Sequence, residues 1–164
     1  MNRSRIPMKK FAIVISIAGI CYLAIPAAGK DNALPEAVLK VLFKAEKLEL
    51  LSLHPEPEKK KPKDHFHGYT VLGKTAIKDA AVRKKLVASF IKGMEGTINP
   101  AKCFEPRHGI RITQDGKTVD LVICFACSQF YVHDSQKVTK YLVNATPEPL
   151  FDKELKDAGI PKAK

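Results

Sequence analysis

The sequence has no tryptophan, no internal repeat and no long low-complexity tract, which excludes repeat arrays and biased tails and leaves one compact domain as the economical arrangement. No serine stands in a G-x-S-x-G context, no glycine-rich loop has phosphate-binding spacing, and no carboxylate pair stands out. Nothing therefore announces a serine hydrolase, a nucleotide-binding loop or a paired acid and base. Acids are scarce, 17 against 28 lysines and arginines. The excess is spread along helices and linkers, and Lys59-Lys60-Lys61-Pro62-Lys63 is flanked by Glu56, Glu58 and Asp64. That run reads as a solvated loop, with no nucleic acid expected as partner and at most weak attraction to anionic lipid or wall polymer.

The N-terminus is patterned for export. Arg3, Arg5, Lys9 and Lys10 supply positive charge without an acid, and Phe11 to Ala28 contain no charged residue. Ala27 and Gly29 are small residues at the −3 and −1 positions of a cut before Lys30, so residues 1–29 are expected to be a secretory signal peptide. Two alternatives stand beside cleavage. The apolar run nearly reaches the ~20 residues of a membrane-crossing helix, and Ala18-Gly19-Ile20-Cys21 loosely resembles the lipidation site of a lipoprotein. All three leave residues 30–164 outside the cytoplasm, in the periplasm or cell envelope, with the membrane touched only through the signal segment or a lipid. Cleavage removes four basic residues and no acid, leaving 24 basic residues against 17 acidic ones. About 135 residues then remain, enough for one ordinary core.

Hydrophobic spacing places a first helix at about 34–46, capped by Asn32, with Leu34, Val38, Val41 and Leu42 on one face. A strand over 48–53 is expected to stop at His54-Pro55, and the Pro- and Lys-rich 55–64 to be loop. Residues 65–73 read as one further strand. Asp79 caps a helix whose Leu86, Val87, Phe90 and Ile91 share a face, with Gly96 as its stop. Asp115-Gly116 is a type I′ turn signal between two alternating runs. A two-residue loop there opposes Gln114 to Lys117, Ile112 to Val119, Ile110 to Leu121, His108 to Ile123 and Arg111 to Asp120. Residues 128–133 and 138–143 read as further extended segments. Thr146 caps a last helix ending at Gly159 and Pro161. The expected fold is α+β: an antiparallel sheet of four to five strands packed against two or three helices, after the signal helix.

The chemistry gathers around Cys103, His108, Cys124 and Cys127. The chain has four cysteines, and removal of Cys21 with the signal leaves an odd number in an oxidising compartment, so one thiol is unpaired, liganded or joined elsewhere. Extending the hairpin register past His108 brings Cys103 towards Cys127. Three readings follow. Three thiolates and an imidazole form a zinc complement, although His108 falls on the apolar strand face and Cys124 on the other. Cys124-Phe125-Ala126-Cys127 has redox spacing, but follows a strand instead of opening a helix. Most simply, Cys103 is disulfide-bonded to Cys124 or Cys127, with one buried thiol left over and His108 an ordinary hydrogen-bonded residue.

The segments Cys103-Phe104-Glu105-Pro106-Arg107-His108-Gly109-Ile110 and Ile123-Cys124-Phe125-Ala126-Cys127, with Gly68 to Lys74 and Asp157 to Pro161, resemble an uncharacterised family of small exported bacterial proteins sharing a C-F-x-P-R-H-G-I and I-C-F-x-C core. The likeness covers most of residues 48–161 and implies one exported domain without implying an activity. Arg107 and Arg111 are candidate ligands for a small anion. His65 and His67 are expected on one strand face, and His54 and His133 beside turns, without a role. The reading reached from sequence is a non-catalytic binding or structural domain of the envelope whose Cys/His cluster is a disulfide or structural zinc site. The alternative is a thiol- or metal-dependent enzyme of redox type using the same cluster.

Overall fold

The computed structural model describes residues 32–57, 64–135 and 137–163. The expected signal peptide and Cys21 lie outside the described residues. Among the described residues three helices, α1 (Glu36–Phe43), α2 (Ala80–Lys92) and α3 (Glu148–Asp157), accompany seven strands: β1 (Lys47–Pro57), β2 (His65–Phe66), β3 (Tyr69–Ala76), β4 (His108–Gln114), β5 (Lys117–Cys124), β6 (Gln129–His133) and β7 (Val138–Leu142). They form one antiparallel sheet in the order β2-β3-β1-β4-β5-β6-β7. The α+β class agrees with the sequence reading, whereas seven strands replace the expected four to five. Among the described residues no helix is long and apolar enough to cross a membrane.

The β4–β5 hairpin has the register read from Asp115-Gly116, from Gln114 opposite Lys117 to His108 opposite Ile123. Both turn residues have positive φ, 48° and 72°, as a type I′ turn requires. Alternation along the strands then sorts side chains to two faces. Leu50, Ile110, Leu121 and Val132 oppose one another across four strands and are buried with Leu86, Val87, Phe90, Phe151 and Leu155 of the helices. The next row on this face is Ser52, His108, Ile123, Phe130 and Tyr141.

The extra strands come from two local features. His67 and Gly68 both take positive φ, 50° and 93°, and fold what reads as one strand into the β2–β3 hairpin. β1 also does not stop at His54-Pro55: it continues to Pro57 through irregular pairing, Leu53 facing Val71 and Pro57 facing Tyr69, an arrangement that spares the prolines a regular ladder position. The expected loop is thus strand up to Pro57, and 58–63 lie outside the described residues. The β2–β3 hairpin covers the second face, where Phe66 packs with Leu51, Leu53 and Val122. A Cβ on Gly109 would sit 3.0 Å from the Phe66 ring, so the glycine lets that ring close on β4.

Helix ends follow partly expected chemistry. Asp79 accepts bonds from the N–H groups of Ala81 and Val82. α2 ends at Lys92, before Gly93 and short of Gly96. α1 is shorter than expected and starts after Pro35. Asn32 instead ties the chain to β7, accepting from Leu142 N–H and donating to the carbonyls of Leu142 and Met94. α3 begins after Pro147 rather than Thr146. At its far end Gly159 has φ 71°, and Ile160 N–H returns to the Leu155 carbonyl, a glycine-terminated helix end.

The tail after α3 docks on the sheet. Pro161 accepts a 2.6 Å hydrogen bond from the fully buried Ser52 hydroxyl, and Ile160 fills the space beside Gly73, where an added Cβ would lie 2.8 Å from Ile160 Cγ2. Gly73→Val is expected to destabilise the domain by about 1–3 kcal/mol through overpacking, read as a lower urea midpoint with an unchanged slope.

Candidate functional site

Three of the four residues of the predicted cluster meet. β5 ends at Cys124 and β6 begins at Gln129, so Cys124 closes one strand of a hairpin and Cys127 lies in its turn, Phe125 to Ser128. Phe125 points into the core against Phe151 and His108, and Ser128, with φ 54°, closes the turn through its N–H to the Phe125 carbonyl. Cys124 and Cys127 are joined by a disulfide. The pairing expected between Cys103 and one of these two is therefore corrected: the tight turn brings the C-x-x-C sulfurs to each other, and Cys103 remains a free, exposed thiol.

Cys103 is nonetheless held against that bond. Ala101 N–H donates to the Cys127 carbonyl at 3.0 Å, and the buried Gln129 amide donates to the carbonyls of Ala101 and Cys103. Cys103 Sγ consequently lies 3.5 Å from Cys127 Sγ. Two main-chain donors point at the disulfide: Glu105 N–H to Cys127 Sγ at 3.3 Å, and Cys127 N–H to Cys124 Sγ at 3.1 Å.

His108 is not a ligand of this sulfur cluster. Its place on the apolar face turns it towards α3, where Nε2 lies 2.8 Å from Asp152 Oδ1. The residue is only 1% exposed. Burial pushes the imidazole below its ordinary pKa, and the Asp152 hydrogen bond opposes this without reversing it. His108 is thus neutral at pH 7 and donates Nε2–H to the carboxylate. A histidine whose folded pKa is depressed contributes its full stability above the unfolded value, 6.5, and loses it as pH falls towards the folded one. Urea midpoints measured from pH 8 to 5 are expected to decline as pH falls below 6.5 in the native protein and to flatten in His108→Gln.

The ligand atoms that converge within 4.8 Å are those of His108, Glu148 and Asp152, a cluster able to chelate a metal ion. It differs from the thiolate set expected from spacing. Lys162 already bridges the two carboxylates, 2.6 Å from Glu148 Oε1 and 2.8 Å from Asp152 Oδ2. Burial lowers the Lys162 pKa, but the two carboxylates more than offset it and the net shift is upward. A metal ion would have to displace a resident cation.

The anion candidates are engaged by acids of the protein itself. Arg111 forks onto Asp120, Nε to Oδ1 at 2.9 Å and Nη2 to Oδ2 at 2.7 Å, and lies over the Phe66 ring. Arg107 donates to the Glu105 carbonyl, with its carboxylate 4.0 Å away. Asp120 also takes His67 Nε2 at 2.8 Å, and His133, opposite Asp120 in the register, stacks on the His67 ring at 3.6 Å. Burial alone would raise the Asp120 pKa, but the His67 and Arg111 hydrogen bonds outweigh it and hold the carboxyl below its usual range. Burial, followed by the neighbouring His67, pushes His133 down. Spacing does not report this histidine pair, because residues 65–73 read as one strand with His67 on its face, while His67 stands in a turn with φ 50°.

No family model, no curated protein and no solved structure matches the chain.

Proposed function

We propose that this is an exported, non-catalytic domain of the bacterial cell envelope, built round a disulfide instead of a thiolate metal site. The observation that carries the reading is the Cys124–Cys127 bond, because disulfides persist in oxidising compartments and are rare in the cytosol. The basic and then apolar N-terminal run supports the same reading. An open cleft of about 720 Å³ bordered by His67, Asp120, His133, Ala37 and Val38 offers the domain a concave surface for a partner. Cell fractionation with mass analysis of the N-terminus tests the proposal. The expected product starts at Lys30 and sits in the envelope fraction; a cytoplasmic protein retaining its first 29 residues would overturn it.

A second reading, zinc held by His108, Glu148 and Asp152, is favoured by their convergence. Lys162→Gln removes the competing cation and is expected to tighten zinc binding a few-fold, since each partly exposed ion pair is worth about 0.2–1 kcal/mol. Titration of the native protein and the variant with zinc alone checks it; no heat from either excludes the site.

A further inference from the structure

The geometry points to a thiol–disulfide exchange site in which exposed Cys103 is the entry thiol to the buried Cys124–Cys127 disulfide, with small thiols or protein thiols as its reaction partners. The inference rests on the proposed oxidising location. Cys124 and Cys127 are each only 1% exposed, so an external thiol has no direct access to their bond. Cys103 is exposed and in contact with one of its sulfurs, Cys127, at 3.5 Å.

The internal step conserves atoms and electrons. Cys103 loses its proton to solvent, and the thiolate attacks Cys127 Sγ. The Cys103–Cys127 bond forms as the Cys124–Cys127 bond breaks, and Cys124 leaves as a thiolate that is reprotonated. The Cys127 N–H already directed at Cys124 Sγ meets the charge on that leaving sulfur, and the Glu105 N–H holds the central one. Exchange brings the disulfide to the surface at Cys103. An external thiolate can then attack Cys103 Sγ, forming a mixed disulfide and releasing Cys127 as thiolate, with the external thiol as reductant. The three sulfurs thus form a relay between a buried bond and solvent.

The test uses the full protein recovered from the envelope, first mapped for disulfides after acid quenching and alkylation, then reduced with dithiothreitol at pH 8 under native conditions. Cys103→Ser is expected to slow reduction of the Cys124–Cys127 bond at least tenfold, with unchanged circular dichroism. Cys124→Ser in a glutathione redox buffer is expected to form a Cys103–Cys127 disulfide. Equal reduction rates in the native protein and Cys103→Ser would overturn the relay. Should Cys103→Ser fail to fold, the native protein decides: after incubation at pH 8, a Cys103–Cys127 fraction supports exchange and its absence overturns it. Absence of any disulfide among Cys103, Cys124 and Cys127 at the mapping stage would instead remove the oxidising-compartment reading on which the relay depends.

Discussion

Phe90→Ala is expected to destabilise the domain by about 3–5 kcal/mol, the usual cost of emptying a fully buried phenylalanine site. Phe90 is 2% exposed. It meets Phe130 edge-on at 4.8 Å and lies 6.2 Å from Phe151, so it links α2 both to the sheet and to the helix that carries Asp152. The cavity would open under α3, where the relaxation needed to close it would move the partner of His108. Urea unfolding should show a large loss of midpoint with little change of slope, and the near-ultraviolet signal of the aromatic cluster should weaken. A loss below about 1 kcal/mol would mean the site can collapse.

Asp120→Ala is expected to cost about 2–3 kcal/mol. Removing one partner of a buried charge pair costs about 3–5 kcal/mol because the other is left uncompensated. The Arg111 side chain is 46% exposed and can recover water, which lowers the figure. His67 has less freedom, since it stands at a φ of 50° in a tight turn and stacks on His133. The loss should be accompanied by loosening of the β2–β3 hairpin, visible as faster amide exchange at Phe66 and Tyr69. The pH dependence has a definite sign. A carboxyl with a depressed folded pKa contributes fully above its unfolded value, 3.8, and loses that share as pH falls through the folded one. Asp120→Asn should therefore flatten the acid limb of the stability curve below about pH 4.

Local signals were legible wherever a turn or cap fixes them chemically. Asp115-Gly116 gave the register of β4 and β5, and from it came both the Arg111–Asp120 pair and the approach of Cys103 to Cys127. Asp79 acts as a cap because a short carboxylate in extended backbone meets the first free N–H groups of α2. The count of strands was not legible. A turn at His67-Gly68 puts a histidine where asparagine or aspartate is the usual signal, and β1 runs on through prolines because its pairing there is irregular.

The sites divide in the same way. Alternation predicted that His108 faces the core, which argues against its joining the sulfurs, but its partner Asp152 is 44 residues away on an element whose docking no local pattern encodes. The choice among three possible cysteine pairs likewise depends on the turn formed by Cys124 to Ser128, and the extended character of Phe130 to Val132 indicates a hairpin without specifying its closure. His133 acquires its partner only when the β2–β3 hairpin folds across the sheet. Long-range contacts of this kind depend on how faces curl and cover one another, and spacing along the chain does not report them.

Intact-mass and alkylation analysis of the protein recovered natively from the envelope, before and after reduction, decides whether the sulfur cluster is a disulfide with an adjacent free thiol. One alkylated cysteine, Cys103, is expected before reduction and three after, with the unreduced protein two hydrogens lighter and no zinc retained on sulfur. Three cysteines without any disulfide, together holding one equivalent of zinc, would contradict it.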